Sequence, residues 1–140
     1  MIIKIILAIL FGLAIGIERE LHGKAIGIKT TPLIILGSLL FCGLSSNVIN
    51  GDNTRVIAAI VQGVGFLGAG VIFKNGDETK GLTTAATIWV TAAIGCLISF
   101  GFYFYAFLST CIVILINSLF NLFKKNHEKF SQKPTRTHLL

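Results

Sequence analysis

Apolar residues in this chain come in long uncharged runs separated by short charged stretches, not at the alternating spacing of a half-buried surface. Residues 5–17 carry no charge and Lys4 can snorkel to a surface, so Ile2–Ile17 is predicted as a short first helix. Residues 30–51 are uncharged, with Pro32 near the start, where its missing N–H does no harm. Residues 56–73 form a third run, which Asp52, Asn53 or Thr54 can cap. Residues 81–123 contain no charge and are long enough for two spans of about 20 residues each. Phe100-Gly101-Phe102-Tyr103 marks the reversal between them, with Tyr103 and Tyr105 suited to an interface. The pattern predicts an all-α integral membrane protein, a bundle of about five transmembrane helices.

Within the third run, Gly63, Gly65, Gly68 and Gly70 crowd one short segment. Each glycine costs about 1 kcal/mol in a soluble helix relative to alanine. In lipid the backbone must satisfy its own hydrogen bonds, so the helix persists and glycines let neighbouring helices approach. Residues 55–73 are therefore predicted as the central helix of the bundle. Ala59, Gly63 and Gly70 share one face, while Ala58, Gln62, Gly65 and Ala69 share nearly the opposite one, so both sides can be packed. The Gln62 amide is expected to bond a neighbouring helix. Gly63-Val64-Gly65-Phe66-Leu67-Gly68 matches a dinucleotide fingerprint, but no strand precedes it and the match is discarded.

Composition agrees with the pattern. Of 140 residues, 54% are hydrophobic and 13% charged, against about 25% charged in a soluble domain. Mean hydropathy is +0.83. The net charge of +6 is largely a tail, Lys124 to Arg136, so it does not indicate nucleic acid. With the C-terminus inside, the inner side holds Arg19, Lys24, Lys29, Lys74, Lys80 and the tail, leaving only Lys4 and Arg55 outside. The positive-inside bias thus predicts N-out, C-in. Lys4, an apolar stretch and Ala14-Ile15-Gly16 imitate a signal peptide, but cleavage would place the basic tail outside, against that bias. The expected division is a membrane domain over 1–123 and a basic tail over 124–140 lying on anionic lipid headgroups.

Candidate chemistry is sparse. Cys42, Cys96 and Cys111 fall in apolar runs, without disulfide or zinc spacing. His22, His127 and His138 lack metal-ligand spacing, and no nucleophile elbow or P-loop occurs. No enzyme, metal or cofactor is expected. Thr84, Thr87, Thr91 and Gly95 form a hydroxyl-and-small stripe on the fourth helix; it can line a polar path, although bonding back to helix carbonyls is the preferred reading. Trp89 lies mid-span, which points to contact with another protein surface. Glu18-Arg19-Glu20 ends the first helix, and Glu20 can pair with Lys24 if that helix continues. Asp77 and Glu78 lie in a loop over 74–80. Either acidic group could touch hydrated magnesium, but a solvated charged loop is the simpler reading. No carboxylate lies deep in a span.

Gly12-Leu13-Ala14-Ile15-Gly16-Ile17-Glu18-Arg19-Glu20, followed by Lys24-Ala25-Ile26-Gly27-Ile28-Lys29-Thr30, resembles the opening signature of MgtC/SapB membrane proteins. Asp52 with Arg55, Gly63–Gly70 and Gly81–Trp89 follow in that family's order. Lys29 stands where arginine is common and Asn53 where proline is common, and the soluble C-terminal domain of longer members has no counterpart here. The resemblance implies a bacterial inner-membrane protein of magnesium-limitation physiology, linked in pathogens to survival in macrophages. Family members are described as magnesium-transport-associated proteins and as inhibitors of the F-type ATP synthase. The family's recurrent motif residues fall on Glu18, Arg19, Glu20, Asp52, Arg55, Gly63, Gly65, Gly68, Gly70, Gly81, Thr83, Thr84 and Trp89, to which the residue reading adds Gln62 and Thr87. The first expectation is a non-enzymatic regulator contacting another membrane complex, or a homo-oligomer in the bilayer. The alternative is a small oligomeric ion or solute transporter.

Overall fold

The computed structural model describes residues 1–47 and 52–131, the last of these, 120–131, as backbone. Five helices stand among the described residues: α1 (Ile2–Leu21), α2 (Thr30–Asn47), α3 (Asn53–Gly70), α4 (Leu82–Ser99) and α5 (Tyr103–Ser131). The first runs a turn past Ile17 and absorbs Glu18-Arg19-Glu20. The expected end of the second span, 48–51, and the tail end, 132–140, lie outside the described residues. Residues 124–131, expected to be tail, continue α5 as helix.

A short antiparallel hairpin, β1 (Phe73–Asn75) and β2 (Glu78–Lys80), replaces the expected loop, so the fold is not purely helical. Asn75 faces Glu78, leaving Gly76-Asp77 as a two-residue turn with Gly76 at φ 62°. A glycine with positive φ opening such a turn is what a tight hairpin needs. At the end of α4, Phe102 N–H bonds Leu97 O at 2.9 Å and Gly101 N–H bonds Ile98 O at 3.1 Å. This is a Schellman stop, with Gly101 (φ 83°) in the left-handed position, and it fixes the predicted reversal into α5.

The expectation that α3 is the central helix is wrong. That place belongs to α4, which packs against all four other helices, whereas α3 leans on α4 and less on α2. The main core joins Ala8 and Ile15 of α1, Ile35 and Leu39 of α2, Ile94 and Ile98 of α4, and Ala106 of α5. A smaller cluster, Ile26, Val64, Ile88 and Ala92, seats α3. The physical reason is that glycine draws helices together only where a neighbouring backbone lies opposite. Nothing lies within 4 Å of where a Cβ would sit on Gly63, Gly65 or Gly70, and Gly68 makes an ordinary 3.5 Å contact with Ala85.

The close approaches are elsewhere. A Cβ on Gly12 would strike the Pro32 backbone, one on Gly16 would lie 2.5 Å from Thr31 Oγ1, and one on Gly95 would strike Ile35 O. Gly12 and Gly16 therefore seat α1 on α2, and Gly95 seats α4 on α2. The buried Thr31 hydroxyl ties the first seam, lying 2.8 Å from Gly12 O and 2.9 Å from Gly27 O as a shared donor. At the far end of the bundle Lys4 does not snorkel outward. Its Nζ donates to Ser99 O at 2.6 Å, a cation on the negative end of α4.

Candidate functional site

The end of α1 meets the start of α4. Glu18 and Arg19 lie in the last turn of α1 and both are buried, Arg19 to 1% exposure. Arg19 Nη2 donates to Thr84 Oγ1 at 2.9 Å, and its Nε is buried with no hydrogen-bond acceptor. A buried guanidinium with an idle donor is costly, because each polar group removed from water needs a partner. Glu18 is turned to His22, with Oε1 3.0 Å from Nδ1. Glu20 does not pair with Lys24; its Oε2 accepts from Ile28 N–H at 2.9 Å and fastens the loop into α2.

Thr83 and Thr84 belong to the first turn of α4, and Gly81 caps it with φ 92°. A side chain on Gly81 would strike Val71 O just past α3. That contact closes the base of the hairpin, which forms one wall of a cavity of about 730 Å³. Buried Arg19 and Thr84 line it together with half-buried Lys24 and the exposed Thr83, Lys80 and Glu78. Glu78 is held by Lys80 at 3.5 Å, and both are well exposed.

Of the residues singled out from sequence, the structure thus gathers Arg19, Gly81, Thr83 and Thr84, with Glu18 and Glu20 beside them. Asp52 and Arg55 lie at the other end of α3. Asp52 caps that helix, accepting from Thr54 and Arg55 N–H, and pairs with Arg55 Nε at 3.1 Å. The Thr54 hydroxyl bonded to the Asp52 carboxylate is the main cause that holds it below its ordinary pKa. Gln62 is exposed, so the expected bond to a neighbouring helix is not made among the described residues. Trp89 is 55% exposed on the outer face of α4.

The threonine stripe is buried, and two of its hydroxyls bond back to their own helix, Thr87 Oγ1 donating to Thr83 O at 2.8 Å and Thr91 Oγ1 to Thr87 O at 2.7 Å, while Thr84 accepts from Arg19 and Thr87 from Asn117 Nδ2 of α5 at 3.5 Å. No group of three or more metal-type ligands occurs among the described residues. Sequence reasoning passed over Lys24 and Lys80 as site residues, and also Gly12 and Gly16, although Gly-x-x-x-Gly is a readable signal for close helix packing.

A small bundle of apolar helices, with a buried arginine under a hairpin at one end, defines the class. The chain belongs to the MgtC family, whose model matches residues 5–126. It is 44% identical over 114 residues to Protein MgtC of Brucella abortus, covering 80% of this chain and 48% of that protein. It is 41% identical over 129 residues to YhiD of Escherichia coli K12, provisionally named a magnesium transporter, covering 86% and 60% respectively. Protein MgtC of Salmonella typhimurium is 40% identical over 119 residues, covering 84% and 51%. The chain spans roughly half to three-fifths of the length of these relatives. No solved structure matches it significantly.

Proposed function

We propose that this chain is a bacterial inner-membrane protein of magnesium-limitation physiology that acts without catalysis, through the open glycine surface of α3, on another membrane complex. The observation that carries the reading is the open space around Gly63, Gly65 and Gly70: among the described residues nothing lies within 4 Å of where a Cβ would sit on any of them. Flat small-residue faces are where a second helix can approach closely in lipid. The magnesium connection rests on the family and on the name given to the Escherichia coli relative. The F-type ATP synthase is the first complex to test.

Membrane placement is part of the proposal. Leu82–Ser99 is long and apolar enough to span, and Thr30–Ser46 and Tyr103–Leu119 are shorter apolar stretches. The Arg19–Thr84 and Lys4–Ser99 contacts bring opposite ends of α1 and α4 together, so those helices run antiparallel. Arg19, Lys24 and Lys80 gather at one end of this pair, as an N-out, C-in layout requires.

The test is complementation of a low-magnesium growth defect, with membrane abundance measured in parallel. Gly65→Leu meets open space in this chain, so it is expected at normal abundance but without function. Full complementation by that variant overturns the regulator. The name of the Escherichia coli relative favours a second reading, a transporter. Magnesium flux into proteoliposomes holding the purified protein alone would replace the regulator with it.

A further inference from the structure

We propose that the cavity beneath the hairpin is a binding site for a phosphate-bearing anion, held between Arg19 and the first turn of α4. The inference is independent of the regulator reading. Three observations meet there. Thr83 and Thr84, which line the cavity, stand in the first turn of an 18-residue helix whose first internal bond runs from Ala85 N–H to Gly81 O at 2.9 Å, so their own N–H groups precede the helix ladder. Helix starts present unpaired N–H donors and the positive end of the dipole, which favour anions.

The second observation is Arg19 itself. Its side chain is buried, reaches the same helix turn through Thr84, and keeps a buried Nε–H without an acceptor. Thr84 Oγ1 accepts from Arg19, so its own O–H is left to donate. The third is the charge of the lining: Arg19, offset in part by buried Glu18 behind it, with Lys24 and Lys80 against Glu78, which Lys80 already holds. Such a lining repels a magnesium ion, which seeks oxygen ligands carrying negative charge.

The volume of about 730 Å³ exceeds what one inorganic phosphate fills, and the mouth is open. A phosphate or phosphomonoester has acceptor oxygens for the helix N–H groups, a hydroxyl and a forked guanidinium together. Two sources supply that chemistry: free phosphate, or the headgroup of an anionic phospholipid entering from the side of the bundle.

The experiment compares the purified full chain with Lys24→Gln/Lys80→Gln and with Arg19→Lys. The first variant removes only charges at the mouth and keeps the buried contact. Arg19→Lys keeps the charge but loses the fork. Inorganic phosphate binding in detergent is measured at low salt by calorimetry, and retained phosphatidylglycerol by native mass spectrometry from nanodiscs containing it. The tail lysines are common to all three proteins and cancel in the comparison. Saturable phosphate binding weakened about tenfold in the mouth variant, as loss of two nearby charges in a screened setting implies, assigns the free anion. Retained lipid that is lost in the variants, with no phosphate binding, assigns the headgroup. Equal binding and equal lipid retention by the wild type and the mouth variant overturns the site.

Discussion

Gly95→Ala, set against Gly63→Ala on the neighbouring α3, compares a glycine pressed on a backbone with one that faces open space. At Gly95 the new methyl would strike Ile35 O and lie 2.8 Å from Ser38 Cβ and 3.1 Å from Ile35 C. Two of these three atoms are backbone, so relief needs α2 and α4 to part by on the order of 1 Å. A gap of that size forfeits about a quarter to a half of the dispersion energy at each contact, and the seam holds Ile35 and Leu39 against Ile94 and Ile98. Overpacking of this kind costs about 1–3 kcal/mol. Alanine returns about 1 kcal/mol of helix propensity, so Gly95→Ala is expected to be destabilised by up to about 2 kcal/mol. Gly63→Ala meets nothing within 4 Å and keeps only the propensity gain, up to about 1 kcal/mol. Reversible unfolding in mixed micelles by SDS titration resolves the difference of about 1–3 kcal/mol between the two proteins. If Gly63→Ala proves the less stable, α3 is packed inside the fold and the account of α4 as the central helix fails.

Gly81→Ala is expected to loosen the hairpin, since its φ of 92° disfavours a side chain and Val71 O occupies the space. Hydrogen exchange should quicken across 73–80, and unchanged protection there contradicts the contact. Thr31→Val leaves Gly12 O without its inter-helix donor and should cost about 0.6–2 kcal/mol, read from the same micelle unfolding; a neutral effect shows that Gly12 O finds another donor. The Asp52 carboxyl is held below its ordinary pKa in the fold, so its capping stabilisation is complete above the unfolded value near pH 4 and fades as pH falls through the lowered folded value. Protection of Thr54 N–H relative to the intrinsic exchange rate at each pH should therefore fall in acid, and Asp52→Asn should remove that pH dependence.

The positions of the helices were legible because charge is excluded from long runs and returns at their ends. The reversal at Gly101 and the cap at Asp52 were legible for the same local reason: each is decided by residues a few positions apart. Helix partners were not. Gly63, Gly65 and Gly70 look like packing residues from their own helix, but packing depends on what lies opposite, and among the described residues no backbone lies there. Gly12 and Gly16 carry the same signal and do meet a neighbour, the stretch from Ile28 to Pro32. The Arg19–Thr84 contact spans 65 positions, and nothing local to either residue announces it. The hairpin was missed because its strands are short and exposed, although Asn75-Gly76 is a turn signal.

The two surfaces given roles here are mechanically adjacent, through one short segment. Gly68 rests on Ala85, one residue beyond Thr84, and Val71 O sits against Gly81. Both contacts fall in the last turn of α3 or just after it, and the hairpin that walls the cavity is the direct continuation of that turn. Elsewhere α3 is held mainly by Val64 in the small cluster with Ile26, Ile88 and Ala92. The contacts of Gly68 and Val71 place the C-terminal end of α3 beside the first turn of α4, which Arg19 also reaches. Whatever fills the cavity therefore bears on the orientation of α3, and whatever packs on the glycine face of α3 bears on the cavity wall. By linkage the two effects must be equal in free energy. If both surfaces are used, phosphate affinity and partner affinity should shift by the same factor, and Gly81→Ala, which loosens their shared segment, should weaken that coupling.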